Sequence, residues 1–351
     1  PTPLSSPPMP DLDPAASRTR PRLGPLYLAV TALAIATLGG CALDSSTRRE
    51  NEAQRQERLA QQLQDARDFA DEGLDAQALA AFNAVLADNP DVTEAHLGIG
   101  DIYRQNDDYA SAETAYANAT VTDPNNLDAH YYLGLMRQLL GKVDQAVTAY
   151  LRALLIDPND FNTRRDLAAA YLQLGEPGQA LEHAVRATEL DPDSQPAWTN
   201  LAAAYALLGD HAAAVDAYRQ AAELGPLADQ VLLGLADAHI KLGNLARAQN
   251  VLESLIRRNP TPTAYERLGY VQFKTRSYAQ ALRTFRQALR LDPGDTAALN
   301  GEGVALMTLY IRDGRIDPRL RDAAIASWRR SIQANPNQTK IVDLLSRYEG
   351  I

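Results

Sequence analysis

The sequence contains a single cysteine, Cys41, and its surroundings point to covalent chemistry at the thiol. One cysteine cannot form an internal disulfide or a metal site alone, and a lone buried cysteine is usually a small apolar core residue. Here the thiol follows the uncharged run 26–38 and two small residues, Gly39 and Gly40. The apolar run is preceded by a basic cluster, namely Arg18, Arg20 and Arg22. This order of segments is typical of a cleaved secretory signal peptide.

The four residues Leu38-Gly39-Gly40-Cys41 resemble the lipobox of bacterial lipoproteins. In that family the cysteine becomes the first mature residue, with a diacylglycerol on its sulfur and an acyl chain on its amine. The resemblance implies that residues 1–40 are a disordered N-terminus plus a lipoprotein signal peptide. It also implies that residues 41–58 are a lipid-anchored linker and the start of the first helix. Ala42 is not the Asp that retains enterobacterial lipoproteins in the inner membrane, so an outer-membrane location facing the periplasm is expected.

The alternative for this segment is an uncleaved membrane anchor. Residues 25–43 are just long enough to span a bilayer, which requires about 20 apolar residues. Both interpretations leave the arginine cluster in the cytoplasm and carry the chain after Cys41 across the membrane. Residues 1–17 are rich in Pro and Ser and are predicted to be disordered, and Met9 is a candidate translation start.

The other residues with catalytic or metal-binding potential are not arranged for chemistry. The chain has no HExxH or GxSxG motif and no His/Cys group at metal-ligand spacing. The glycine pairs in "GIGD" and "GEGV" lie inside predicted helices, and the Asp107-Asp108 pair lies at a predicted turn. The five histidines are scattered singly: His96, His130, His183, His211 and His239. We therefore predict no enzymatic activity, no cofactor and no metal.

The elements that carry these residues are set by an internal period of 34 residues, marked by proline. The prolines are Pro90, Pro124, Pro158, Pro192, Pro226, Pro260, Pro293 and Pro336. Twelve residues before each stands an alanine: Ala78, Ala112, Ala146, Ala180, Ala214, Ala248, Ala281 and Ala324. Eight residues before, the slot is mostly aromatic: Phe82, Tyr116, Tyr150, Tyr218, Phe285 and Trp328, with Ala184 and Leu252 as exceptions. A fixed period of this length indicates a solenoid of stacked units.

This pattern resembles the tetratricopeptide repeat, and "AWTNLAAAYALLGDHAAAVDAYRQAAELGP" matches it nearly throughout. The resemblance covers residues 59–338 and implies an all-α fold, an α-solenoid of about eight helix-turn-helix repeats with a C-terminal capping helix at 339–351. The implied repeats are 59–92, 93–126, 127–160, 161–194, 195–228, 229–261, 262–295 and 296–338. A further slot holds leucine or isoleucine in six repeats: Ile99, Leu133, Leu167, Leu201, Leu235 and Leu268. In the first and last repeats it holds Asp65 and Glu302, where we expect a face without a neighbour.

The residue types in each repeat also favour two helices and no strand. The alanine must be small because the two helices cross closely there, and the aromatic residue fills the gap between units. Proline ends the second helix, and Asp or Asn caps the next. Residues 47–57 should extend the first helix backwards. The last repeat is longer by an insertion centred on "IRDGRIDP", either a neutral length variant or a partner contact. Glycine ends the first helix in four repeats, at Gly141, Gly175, Gly209 and Gly243.

Family geometry implies that positions 2, 5, 9, 12 and 13 of each first helix line a concave groove. The candidates are Arg104, Tyr131, Leu135, Leu139, Arg165, Leu172, Leu207, Leu233, Ile240, Tyr270 and Phe273. This set is more apolar than a solvated surface needs, so it either binds a partner or packs against neighbouring repeats. The carboxylate clamp of chaperone-binding relatives is not supported, because Arg165 is followed by Ala169. The asparagine ladder of sugar-transferase relatives has one match, Asn200.

These features predict a membrane-anchored scaffold of the bacterial cell envelope that binds a protein or peptide partner. The alternative is a structural assembly factor of an envelope machine that acts through its convex face or ends. Resemblance to outer-membrane tetratricopeptide lipoproteins implies pilus or secretin assembly, exopolysaccharide export or a peptidoglycan enzyme complex for that alternative. The sequence does not choose among these, and it does not indicate an oligomeric state.

Charge is distributed unevenly along the repeats. Residues 42–240 hold 13 basic and 32 acidic side chains, a net charge of −19, whereas residues 241–351 hold 18 basic and 10 acidic side chains, a net charge of +8. In a solenoid, distance along the sequence becomes distance in space, so the molecule should be polar along its axis. The predicted basic end comprises Arg283, Arg286, Arg290, Arg319, Arg321, Arg329 and Arg330. Either the two halves are simply solvated charged surfaces, or the basic end steers an acidic partner. Outside the cytoplasm that partner would be an acidic protein or an anionic glycan rather than nucleic acid.

Replacing the thiol tests the predicted anchor. We expect Cys41→Ser either to release the domain from membranes or to leave an uncleaved precursor, because the lipid can no longer be attached. Each buried methylene of the acyl chains contributes about 0.8 kcal/mol to membrane binding. Fractionation and the mass of the mature chain measure both effects. An unchanged mass and membrane fraction would contradict lipidation and favour the spanning helix.

Overall fold

The computed structural model of the protein describes residues 26–349, with side chains from residue 48 onward. All regular elements in this range are α-helices. The helices are α1 Leu26–Asp71, α2 Asp75–Asp88, α3 Thr93–Gln105, α4 Tyr109–Thr122, α5 Leu127–Leu139, α6 Val143–Ile156, α7 Phe161–Leu174, α8 Pro177–Leu190, α9 Gln195–Leu208, α10 His211–Leu224, α11 Asp229–Lys241, α12 Leu245–Arg258, α13 Pro262–Lys274, α14 Tyr278–Leu291, α15 Thr296–Arg312, α16 Pro318–Ala334 and α17 Thr339–Tyr348.

These helices form eight antiparallel pairs followed by α17, which confirms the predicted solenoid fold. The odd-numbered helices from α1 to α15 are the first helices of the repeats, and the even-numbered ones are the second helices. Each helix packs against the next, and first helices also contact the first helix of the following repeat, as α7 does with α9 and α13 with α15. No comparable contact joins successive second helices in the described residues. The first helices therefore line the inner, concave surface.

The N-terminal helix α1 is much longer than the other helices and includes residues 47–57, where the sequence predicts a backward extension. In the part of the chain that the structure describes, no helix has both the length and the hydropathy needed to cross a membrane. The predicted disordered segment, the arginine cluster and Met9 lie outside the described residues, as does the side chain of Cys41. The signal peptide and its spanning-helix alternative therefore stay predictions.

The turn inside each repeat requires one residue in the left-handed region. Gly141, Gly175, Gly209 and Gly243 all have φ between 74° and 86°, as the sequence predicts. In two other repeats this turn residue is Asp107, with φ 58°, or Arg276, with φ 63°. A side chain can adopt this conformation, but at a cost that glycine avoids. The backbone of the turn is therefore repeated even where glycine is not.

The turn between repeats is held by a side chain at the fourth position of the next first helix. The ring Nε2 of His96 and of His130 donates to the carbonyl oxygen of the proline six residues earlier, each at 3.0 Å. Trp198 makes the same contact through its indole nitrogen at 2.8 Å, and Arg164 makes it through its guanidinium. These two histidines therefore have a structural role, as expected from their scattered positions.

The core of each repeat is built on small residues. All eight alanines of the predicted alanine slot are fully buried. The six aromatic residues eight positions before proline each contact a glycine of a first helix, where an added Cβ would lie closer than 3.0 Å to the ring or its hydroxyl. The contacts are Phe82 with Gly98, Tyr116 with Gly100, Tyr150 with Gly134, Tyr218 with Gly234, Phe285 with Gly269 and Gly301, and Trp328 with Gly303. The first helix approaches the second so closely that a methyl group does not fit.

The last repeat differs from the expectation that Glu302 lies on a face without a neighbour. Glu302 is buried on α15, where one carboxylate oxygen accepts from Arg286 Nε at 2.8 Å. The other oxygen accepts from the Ser327 hydroxyl at 3.0 Å. The expectation was wrong because α15 packs between α14 and α16, whose Arg286 and Ser327 bond the carboxylate. Beyond them, α17 covers the end of the solenoid with Ile341 and Leu345. A buried carboxylate is tolerated because both oxygens are hydrogen-bonded.

Candidate functional site

The candidate site is the concave groove formed by the first helices. Of the predicted groove residues, the two arginines are held by carboxylates in aromatic surroundings. On α3, Arg104 pairs with Asp101 at 3.1 Å, and its guanidinium lies 5.0 Å from the centre of the Tyr132 ring on α5. Asp101 also accepts a 2.7 Å hydrogen bond from the hydroxyl of Tyr116. Burial, followed by the Asp101 carboxylate, raises the pKa of Tyr116, so the phenol remains a donor.

A second charge pair lies two repeats further along the groove. On α7, Arg165 donates through two nitrogens to the two oxygens of Asp166, at 2.7 and 2.9 Å. The hydroxyl of Tyr131 on α5 donates to the same carboxylate at 3.0 Å. Asn200 on α9 donates to the backbone carbonyl of Arg165 at 2.9 Å. Three successive first helices are therefore joined across the groove floor by polar contacts.

A third charged group lies in a cleft of about 620 Å³ between α11 and α13. Arg267 pairs with Asp237 at 2.8 Å and with Glu266 at 2.7 Å. Burial raises the pKa of the Glu266 carboxyl, and the neighbouring Arg267 opposes this rise. The rim of the cleft carries Tyr270 and Lys274, with the ammonium 6.0 Å from the ring centre.

The predicted apolar groove residues fall into two groups. Leu135, Leu172 and Phe273 pack against core clusters and are only partly exposed. Leu233 and Ile240 likewise pack against a core cluster. By contrast, Tyr270 is 40% exposed, Leu139 53% and Leu207 62%. The side chains free to contact a partner are therefore these last three, spread over repeats three, five and seven.

The carboxylates of the groove are not among the predicted site residues. Asp101 and Asp237 occupy position 9 of their first helices and Glu266 occupies position 5, both groove positions, but the predicted set comprises apolar residues and two arginines. Asp166 and Arg267 occupy position 6, outside the family's groove set. The position of Asp101 and Asp237 in their helices could have identified them from the sequence as groove residues. The pairing itself depends on neighbouring helices and is not visible in the sequence.

The predicted basic end is brought together only in part. Arg283, Arg286, Arg290 and Arg330 line one surface cleft. Arg319, Arg321 and Arg329 instead pair with Asp317, Asp322 and Glu349, respectively, and do not line it. Among the described residues, no group of His, Cys, Asp and Glu could hold a metal ion.

Comparisons with known families agree with this architecture. A family model described as tetratricopeptide repeat matches residues 59–126, 233–296 and 268–339. Further tetratricopeptide repeat models match residues 139–175, 161–204 and 195–226. Together these matches extend over most of the solenoid. A comparison with curated protein sequences gives no significant match.

Solved structures with the same fold come from different biological settings. A tetratricopeptide repeat protein from Parabacteroides merdae aligns with a TM-score of 0.53 and 19% identity over 72% of this chain and 97% of its own. The pilF protein of Pseudomonas aeruginosa aligns with a TM-score of 0.50 and 19% identity over 59% and 94%. A chain of the APC/C hetero-tetramer Cut9–Hcn1 aligns with a TM-score of 0.52 and 17% identity over 82% and 55%. At such identities the likeness shows a shared fold.

The Arg165–Asp166 pair should stabilise the groove floor. Asp166→Asn leaves the half-buried guanidinium without its bidentate partner, so we expect the free energy of unfolding to fall by about 1–3 kcal/mol. Asp216→Asn on α10 is the matched control, because its partner Arg219 and Asp216 itself are both mostly exposed, and exposed pairs contribute little. Chemical denaturation followed by circular dichroism measures both. Equal changes in the two variants would contradict a structural role for the groove pair.

Proposed function

This chain belongs to the tetratricopeptide repeat family, and from that premise we propose that it is a non-enzymatic scaffold that binds a protein or peptide along its concave groove. Such solenoids typically act as protein-interaction scaffolds with extended concave binding surfaces. The observation that carries the proposal is the row of exposed apolar side chains, Leu139, Leu207 and Tyr270, on the first helices. Exposed apolar groups rimmed by polar ones are typical of interaction sites.

The charge pairs of the groove support this proposal by fixing its shape. Arg104, Arg165 and Arg267 are already paired with carboxylates, and the first two also lie over aromatic rings. Little side-chain entropy therefore remains to be lost at these positions when a partner binds. The partner would meet a preformed surface of apolar anchors separated by neutralised charges. An extended segment or a helix with apolar residues spaced to reach repeats three, five and seven fits this surface best.

The alternative function is a structural assembly factor that acts through the convex face. It is favoured by Val121 on α4 and Leu155 on α6, which are 78% and 74% exposed on second helices. In that case, the chain would be a component of an envelope machine, such as a pilus or secretin assembly, an exopolysaccharide export system or a peptidoglycan enzyme complex. The shared fold with pilF is compatible with this alternative but does not favour one machine over another.

We further propose that the scaffold acts at the bacterial cell envelope. The support lies in the sequence: the basic cluster, the apolar run and the lipobox-like residues that end at Cys41. Lipid on Cys41 would hold the solenoid at a membrane, with an outer-membrane position facing the periplasm as the preferred location. A single N-terminal spanning helix is the alternative anchor and leaves the repeats on the same side.

Two matched double variants distinguish groove from convex face. Leu207→Ser with Tyr270→Ser removes apolar surface from the groove, and Val121→Ser with Leu155→Ser removes it from the second helices. Tyr131 is left intact because its hydroxyl holds Asp166. We expect the groove variant to capture at least tenfold less partner from a membrane extract, because buried aromatic and apolar anchors dominate interface energies. Quantitative mass spectrometry of the captured protein measures this.

The convex variant should capture the same partner at the wild-type level. The reverse pattern would overturn the groove proposal and support the structural alternative. Unchanged helix content by circular dichroism in both variants is the control for folding. All four substituted side chains are exposed, so no core contact is removed.

A further inference from the structure

The surface cleft lined by four arginines has the composition of a ligand site, on the opposite side of the solenoid from the groove. Arg283, Arg286 and Arg290 lie on one face of α14 at helical spacing, and Arg330 faces them from α16. The cleft has a volume of about 510 Å³, and Glu302 of α15 lies at its edge. Small-molecule sites commonly measure about 300–1,000 Å³.

The cleft exists because of how the solenoid curves. The first helices α13 and α15 contact each other directly on the concave side. The second helices α14 and α16 diverge on the convex side and leave a space between them. Sequence places an arginine at three positions of α14 that face this space, so positive charge accumulates where the backbone leaves room for a ligand.

The arginines of the cleft are only partly neutralised. Arg286 donates to Glu302, whose other oxygen is occupied by Ser327. Arg330 donates once to the backbone carbonyl of Pro293, at 2.9 Å, which leaves its charge unpaired. Arg283 and Arg290 have no hydrogen bond or ion pair with any described residue. Four positive charges therefore face one carboxylate, a net charge of +3.

We propose that this cleft binds a phosphate-type oxyanion, a site distinct from the groove and independent of the proposed scaffold function. A guanidinium presents its donors in a planar fork that matches two oxygens of a carboxylate or phosphate. A carboxylate has two oxygens, and in Glu302 these are already occupied by one guanidinium N–H of Arg286 and the hydroxyl of Ser327. A phosphate group has more oxygens, which point in different directions, so it can accept from several arginines at once. Three uncommitted guanidinium groups around one cleft match this geometry.

The arginines of the cleft differ from other arginines of the C-terminal half in having few carboxylate partners. Arg319 and Arg321 belong to the same predicted basic end, but each pairs with a neighbouring carboxylate on its own segment. Removing two charges there changes the net charge of the protein by the same amount as removing Arg283 and Arg290. The two pairs of residues therefore separate a built site from diffuse attraction.

Isothermal titration of the purified full chain with sodium tripolyphosphate at low ionic strength tests the proposal. We expect saturable binding with one site, at least tenfold weaker in Arg283→Gln with Arg290→Gln. The control, Arg319→Gln with Arg321→Gln, should change affinity by less than twofold. Arg283→Lys with Arg290→Lys should bind with intermediate affinity, because lysine keeps the charge but loses the fork. Equal weakening in the glutamine pair and its control would overturn the site.

Further probes identify the source of the oxyanion. Vesicles that contain phosphatidic acid should recruit the wild-type chain more than the glutamine variant if the phosphate belongs to a lipid headgroup. Binding of tripolyphosphate without vesicle recruitment indicates a soluble phosphate compound, and either result supports the site. Polyglutamate that binds more tightly than tripolyphosphate, with the same dependence on Arg283 and Arg290, would overturn the assignment to phosphate. Absence of saturable binding by all these probes would overturn the proposal as a whole.

Discussion

The close contact between an aromatic ring of the second helix and a glycine of a first helix is the constraint on which the solenoid depends. Every repeat with an aromatic residue at this position has at least one glycine against the ring. The two repeats without an aromatic residue, with Ala184 and Leu252 there, have Ala168 and Ala236 at the glycine position of their own first helix. Alanine also occupies this position in repeats one and five, as Ala66 and Ala202, where the ring packs against Gly98 or Gly234 of the following first helix instead. An aromatic ring is therefore accommodated by a glycine on its own first helix or on the next one.

The two faces of the solenoid differ because, in the described residues, first helices of successive repeats contact each other, whereas second helices do not. First helices of successive repeats approach each other, so side chains from α3, α5, α7 and α9 meet on one surface and form the linked contacts of Arg104, Tyr131 and Asp166. Second helices diverge, and the spaces between them become clefts such as the one between α14 and α16. The same curvature thus produces a preformed groove on one side and separate clefts on the other, of which the one between α14 and α16 is strongly basic.

The sequence predicts the fold almost completely because each repeat is a local structure whose helix ends and turns are marked by characteristic residues. Proline, the buried alanine and the turn glycine each specify a backbone feature within a few residues, so helices and turns follow from spacing alone. The left-handed turns at Asp107 and Arg276 were not predictable in this way, because neither residue type favours that conformation as glycine does. Contacts between side chains were less predictable because they join residues far apart in the chain: 35 residues separate Tyr131 from Asp166, and 25 separate Ser327 from Glu302. The burial of Glu302 was missed for this reason, because its partners Arg286 and Ser327 lie on the helices before and after its own.

The most direct test of the packing constraint is a double-mutant cycle on Gly134 and Tyr150. A Cβ on Gly134 would lie 2.6 Å from the Tyr150 ring, so Gly134→Ala should destabilise the protein by about 1–2 kcal/mol, even though alanine favours a helix by about 1 kcal/mol. Gly178→Ala, where nothing lies within 4 Å of the added Cβ, should instead stabilise the protein by up to about 1 kcal/mol. Combining Gly134→Ala with Tyr150→Leu recreates the alanine–leucine pair of repeat six. We expect a favourable coupling energy of at least about 1 kcal/mol from urea denaturation. Additive effects, or stabilisation by Gly134→Ala alone, would contradict the packing constraint.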